Sequence, residues 1–91
     1  MQITGIEIID TRFCTASGRH RASLRLTLPD RVVTLFCALA LPEAVSPALR
    51  DRAMMADALR QMRRMPEFRS GRMALNMAAP VQAMVEGPRA A

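Results

Sequence analysis

The stretch RASLRLTLPDRVVTLFCALAL (21–41) decides the fold of this chain. Its first half alternates: Ala22, Leu24, Leu26 and Leu28 interleave with Arg21, Ser23, Arg25 and Thr27, the period-two pattern of a strand with one buried and one wetter face. Pro29 and Asp30 supply turn chemistry, and 31–41 reads as a second strand, apolar at nearly every position. An even-length loop sets Leu26 against Val33, Leu24 against Leu35 and Ala22 against Cys37, which collects apolar residues on one face. A three-residue loop would oppose Leu26 with Thr34 and shift every pair. Because Pro29 cannot take the positive φ of a two-residue type I′ turn, a four-residue loop over 28–31, built on a type I turn, is expected.

Upstream, a turn centred on Ser17 and Gly18 sets Phe13 opposite Ala22, Thr11 opposite Leu24 and Ile9 opposite Leu26. That register gives Ile9 and Phe13 to the core face. The other face then carries Ile6, Ile8, Asp10, Arg12 and Cys14, with Asp10 across from Arg25 as a surface ion pair. The doubled Ile8-Ile9 signals a bulge or local irregularity in this strand.

Downstream the periodicity changes to that of a helix. Ser46 is a good N-cap and Pro47 a good first residue, and the periodic stretch runs to Met65 before Pro66 stops it. At about 100° per residue, Ala48, Met55, Ala58, Leu59, Met62 and, more laterally, Met65 share one face, while Arg50, Asp57, Arg60 and Arg64 lie away from it. Asp51 and Arg52 flank the stripe and reach for solvent. Beyond a turn at Gly71, Met73, Leu75 and Met77 alternate with Ala74, Asn76 and Ala78. This segment is expected to return as a fourth strand beside 32–41, making that doubly apolar strand central. A short turn of helix follows over 80–86. The expectation is α+β: a three-stranded antiparallel meander, one amphipathic helix on one sheet face and a possible fourth strand, in the order β-β-β-α-β. Residues 1–86 make a single small domain and 87–91 a disordered tail.

Ninety-one residues suffice for one core that hides roughly 60–65% of the surface the unfolded chain exposes. The net charge is +5, and all thirteen basic residues are arginine. Arginine suits carboxylate and phosphate recognition, but fifteen alanines and a single asparagine also fit a genome-wide preference for GC-rich codons. The longest apolar run, 32–41, is about half of what a membrane span needs. Glu7 and Asp10 break what would be the apolar part of a signal peptide, so a cytoplasmic protein without membrane association is expected.

Cys14 and Cys37 fall on opposite sheet faces, which argues against a disulfide, and neither sits in metal-ligand spacing. Their plain reading is as small hydrophobes. His20, at the first turn between Arg19 and Arg21, is expected to be solvated. One histidine, two separated cysteines, no phosphate-cradling glycine loop and no paired carboxylates at helical spacing leave nothing for catalysis. No catalytic residue, metal, cofactor or small-molecule substrate is therefore expected. The methionines Met54, Met55, Met62 and Met65 read as core filling, with a repackable partner surface as the alternative.

Two arginine groups are candidates for anion or partner binding. Arg60, Arg63 and Arg64, followed by Arg69 and Arg72, cluster at the helix end; the helix dipole favours cations there without any ligand. Arg12, Arg21 and Arg25 lie on the outer sheet face beside Phe36, a lone stacking platform; arginines there also guard a face against aggregation. The outer face, with Ile6, Ile8, Val32, Phe36, Ala38 and Ala40, calls for a cover. Either 73–85 folds back over it or a second copy of the chain forms a homodimer. The expected function is a small non-catalytic protein-interaction and oligomerisation domain presenting a basic surface. The alternative is a nucleic-acid-binding module using the helix-end cluster.

Overall fold

A computed structural model describes residues 2–66 and 76–86 of the chain. The alternating segment becomes β3 (Arg19–Thr27), the middle strand of a three-stranded antiparallel sheet between β2 (Gly5–Cys14) and β4 (Val32–Leu39). The β3–β4 register is the one its apolar residues favour: Leu26 faces Val33, Leu24 faces Leu35 and Ala22 faces Cys37. Thr27 pairs with Val32, and the loop between them has four residues, closed by a hydrogen bond of 2.8 Å from the Leu28 amide to the Arg31 carbonyl.

One helix, α1 (Pro47–Arg63), packs on one face of this sheet against β4 and β3. Ser46 caps it: its Oγ accepts from the Leu49 amide at 3.2 Å, with Pro47 in the first turn. Met55, Ala58, Leu59 and Met62 are buried as the periodicity requires. Ala48 is exposed instead, and Met54, outside the expected stripe, is fully buried. A second cover accounts for the added burial. A short helix, α2 (Ala79–Glu86), packs on α1, so the buried arc of α1 is wider than a stripe facing a sheet alone.

The fourth strand of the β-β-β-α-β order exists but pairs elsewhere. β5 (Asn76–Met77) runs parallel to a two-residue N-terminal strand, β1 (Gln2–Ile3), rather than beside β4. The Ala78 amide bonds the Ile3 carbonyl at 2.9 Å, and the Thr4 amide bonds the Thr27 carbonyl at 2.9 Å. Ile3 is thereby fixed between the two sheets, fully buried with Val81 of α2 in the same core. This leaves β4 as an edge strand. The edge is partly closed by α1, whose Gln61 amide donates to the Phe36 carbonyl at 2.9 Å. Residues 73–75 and the 87–91 tail lie outside the described residues.

The largest correction concerns β2. Its first half pairs Ile6 with Leu26, Glu7 with Arg25, Ile8 with Leu24 and Ile9 with Ser23. The register then slips by one residue, and Arg12 pairs with Arg21, Phe13 with His20 and Cys14 with Arg19. Ile6, buried to 8% exposure, thus joins the core, Ile8 packs against it half-buried, and Ile9 takes the outer face. The expected register had these positions reversed because it carried one unbroken alternation back from the turn, whereas the slip between Ile9 and Arg12 inverts the faces of every residue before it; the turn itself is centred only one residue earlier than expected. The observed loop is 15–18, closed by the Gly18 amide on the Cys14 carbonyl at 2.9 Å, with Gly18 at φ 67°.

Candidate functional site

A β-strand alternates faces strictly unless an extra residue intervenes. In β2 that residue lies at Asp10-Thr11, where two residues stand opposite Ala22 alone. Asp10 has φ 54°, the left-handed conformation that aspartate tolerates better than most residues. It is the only non-glycine residue at positive φ among those described. The bulge reverses the alternation: without it Arg12 would point into the core and Phe13 outward. With it Arg12 stands outside, opposite Arg21, and Phe13 turns inward against His20, with ring centroids 4.8 Å apart in an edge-on arrangement. The sequence signal was present in the apolar doublet Ile8-Ile9, one residue ahead of the bulge.

Around this point the outer face forms an open concavity of about 490 Å³, lined by Asp10, Arg12, Arg21, Ser23, Phe36 and Ala38, with Ala22 and Cys37 beneath. Phe36 is 76% exposed. Three of the four outer-face residues named from sequence, Arg12, Arg21 and Phe36, therefore meet at one place. The fourth, Arg25, is held by Glu7 at 3.3 Å, in the position foreseen for Asp10. Asp10 and Ala38, expected on this face but not as site residues, complete the lining together with Ser23, which the sequence did not single out.

At the other group the geometry is less convergent. Arg60 is tied to Asp57 at 3.0 Å, and the same carboxylate accepts from the Gln61 amide at 3.0 Å. Partial burial pushes the Asp57 carboxyl up, but hydrogen bonds from Gln61, Cys37 and Arg60 outweigh it and hold the group below its usual range. Across from it, burial and then the Asp57 carboxylate push the Cys37 thiol up to about 12. Arg63 and Arg64 are exposed, and Arg69 and Arg72 lie outside the described residues.

His20 is not solvated. It is 4% exposed and its Nε2 donates to the Pro42 carbonyl at 2.9 Å, which fixes the Nε2–H tautomer because a carbonyl only accepts. Both cysteines are free thiols, Cys14 half-buried and Cys37 buried. Hydrogen bonding from Ser17 holds the Cys14 thiol below its usual value. Among the described residues no three of His, Cys, Asp and Glu group as metal ligands, and no helix is long and apolar enough to cross a membrane. The chain matches no protein-family model, no curated protein and no solved structure.

Proposed function

We propose that this is a non-catalytic protein-interaction domain that meets its partner through the outer face of the β2-β3-β4 sheet. The observation that carries the reading is Phe36, 76% exposed in a concavity it shares with Arg12 and Arg21. Aromatic and arginine side chains are the residues enriched where protein interfaces concentrate their binding energy. Both helices lie on the opposite side, against Ile3, Leu24 and Leu35, which leaves this face open among the described residues. Two free cysteines fit a reducing, cytoplasmic compartment.

A homodimer would bury the same Phe36, together with Val32, which is 56% exposed. Ile6 and Ile8, which would have made this face strongly apolar, belong to the other side, and two copies carrying +5 each repel. A partner of opposite charge fits better than a second copy. The nucleic-acid alternative retains Arg63 and Arg64 at the helix end, with Arg60 already engaged by Asp57.

The test places a photoreactive phenylalanine analogue at Phe36 and, as a control, at the exposed Leu49 of α1, in cells that express the chain. Discrete protein adducts specific to position 36 are expected. Adducts to nucleic acid alone, or the same adducts from both positions, contradict the reading. An adduct between two copies of the chain assigns the face to a homodimer.

A further inference from the structure

The cross-strand neighbour of Arg12 on the outer face is another arginine, Arg21. Like charges at directly opposed positions destabilise an antiparallel ladder. The next outer-face arginine along β3 shows the ordinary solution, for Arg25 faces and binds Glu7. Arg12 and Arg21 have no carboxylate partner among the described residues. Their opposition also depends on a bulge with Asp10 in a conformation that disfavours side chains. Two features that each work against the free protein thus converge beside the exposed ring of Phe36, where an anion would relieve the repulsion.

Resting on the reading of this face as protein-binding, we propose that Arg12 and Arg21 are a carboxylate clamp. The partner is an acidic protein segment that places an Asp or Glu carboxylate between the two guanidiniums and an apolar side chain against Phe36. Guanidinium forks match the planar carboxylate in bidentate hydrogen bonds, and the ring supplies an apolar contact next to them. The charges of the face favour a protein carboxylate over a nucleic-acid backbone. Glu7 and Asp10 share the face, Arg25 is paired with Glu7, and Arg19 at the start of β3 raises the phosphate contacts open to a polyanion only to about three, one more than the Arg12–Arg21 pair supplies. A single carboxylate needs no more than those two.

The test is an amide-resolved NMR titration of the full chain with three probes. These are a blocked hexapeptide alternating Glu and Leu, its Gln-for-Glu counterpart, and an oligothymidylate of matching length. The clamp predicts shifts confined to Arg12, Arg21, Ser23, Phe36 and Ala38 with the Glu peptide. It also predicts binding weaker by at least about tenfold for the Gln peptide and for the Arg12→Ala or Arg21→Ala protein, the factor that corresponds to losing one charge-assisted pair. Both arginines are exposed, and an unchanged or raised thermal midpoint confirms that the variants are folded. Equal binding of the Glu and Gln peptides at this face, lost on Phe36→Ala, overturns the clamp while leaving the protein-binding face standing. Oligothymidylate binding with no outer-face shift from either peptide overturns both, and no binding by the Glu peptide at millimolar concentration overturns the clamp.

Discussion

Arg12 faces Arg21 across the β2–β3 ladder, and the residue responsible is neither of them but Asp10. Its left-handed turn inserts one residue into β2 and moves every later side chain to the opposite face. The candidate site and the Phe13–His20 contact beneath it share this one cause. In β-sheets such bulges re-aim side chains, and here the re-aimed group is a charge that would otherwise be buried without a partner.

The opposed arginines predict that relieving their repulsion stabilises the free protein. Arg21→Thr keeps strand propensity and removes one charge, so unfolding in low salt is expected to become harder by about 0.2–1 kcal/mol. The gain shrinks as salt screens the pair. Urea titrations of both proteins at low and high ionic strength measure it, and a loss of stability at every salt concentration counts against the repulsion.

Asp10 predicts its own mutational signature. Asp10→Gly relieves the positive φ and is expected to be neutral or to stabilise by up to about 1 kcal/mol, whereas Asp10→Val forces a β-branched side chain into that conformation and costs about 1–2 kcal/mol. Thermal unfolding of the two variants separates these outcomes. Equal destabilisation by Gly and Val means the side chain, not the backbone, matters at this position.

The two thiols are expected to behave differently. Cys14 reacts with iodoacetamide in the native protein, while Cys37 waits for unfolding; mass spectrometry after timed labelling distinguishes them. For Cys37 the raised pKa means that the folded state keeps a proton the unfolded chain loses from about pH 9 upward. Its contribution is complete below that pH and disappears as pH rises towards about 12. Urea midpoints are therefore expected to decline over this window, and Cys37→Ala to flatten the decline.

Phe36 is expected to matter for binding and little for folding. With 76% of its surface exposed, Phe36→Ala changes stability by no more than about 0.5 kcal/mol. Ser46→Ala, by contrast, removes the N-cap of α1 and costs about 1 kcal/mol. Calorimetry on the two variants checks both, and a large loss from Phe36→Ala reveals a contact that makes the ring structural.

Much of this fold is legible because hydrophobic alternation specifies strand pairing. The Ala22, Leu24 and Leu26 series leaves one sensible register with β4, and the Ser46-Pro47 start of α1 follows from backbone chemistry. His20 shares the parity of that series, so its burial was readable had the turn chemistry at Ser17-Gly18 not drawn attention to the loop. The bulge was only partly legible. Ile8-Ile9 shows that alternation fails, but which residue absorbs the slip depends on a backbone conformation that several residues tolerate. The β1–β5 pairing was not legible at all, since two residues on each side carry no period. Of the site, the arginines and Phe36 were visible as types, and their meeting depends on the slip.

The change of face at Asp10 is what every functional statement above requires, and cross-strand nuclear Overhauser effects test it most directly. In the isotopically labelled chain, contacts linking Arg12 to Arg21, Phe13 to His20 and Ile9 to Ser23 are expected together. Contacts linking Thr11 to Arg21, or Phe13 to Ala22, would mean an uninterrupted ladder with no opposed arginines, and would contradict the account.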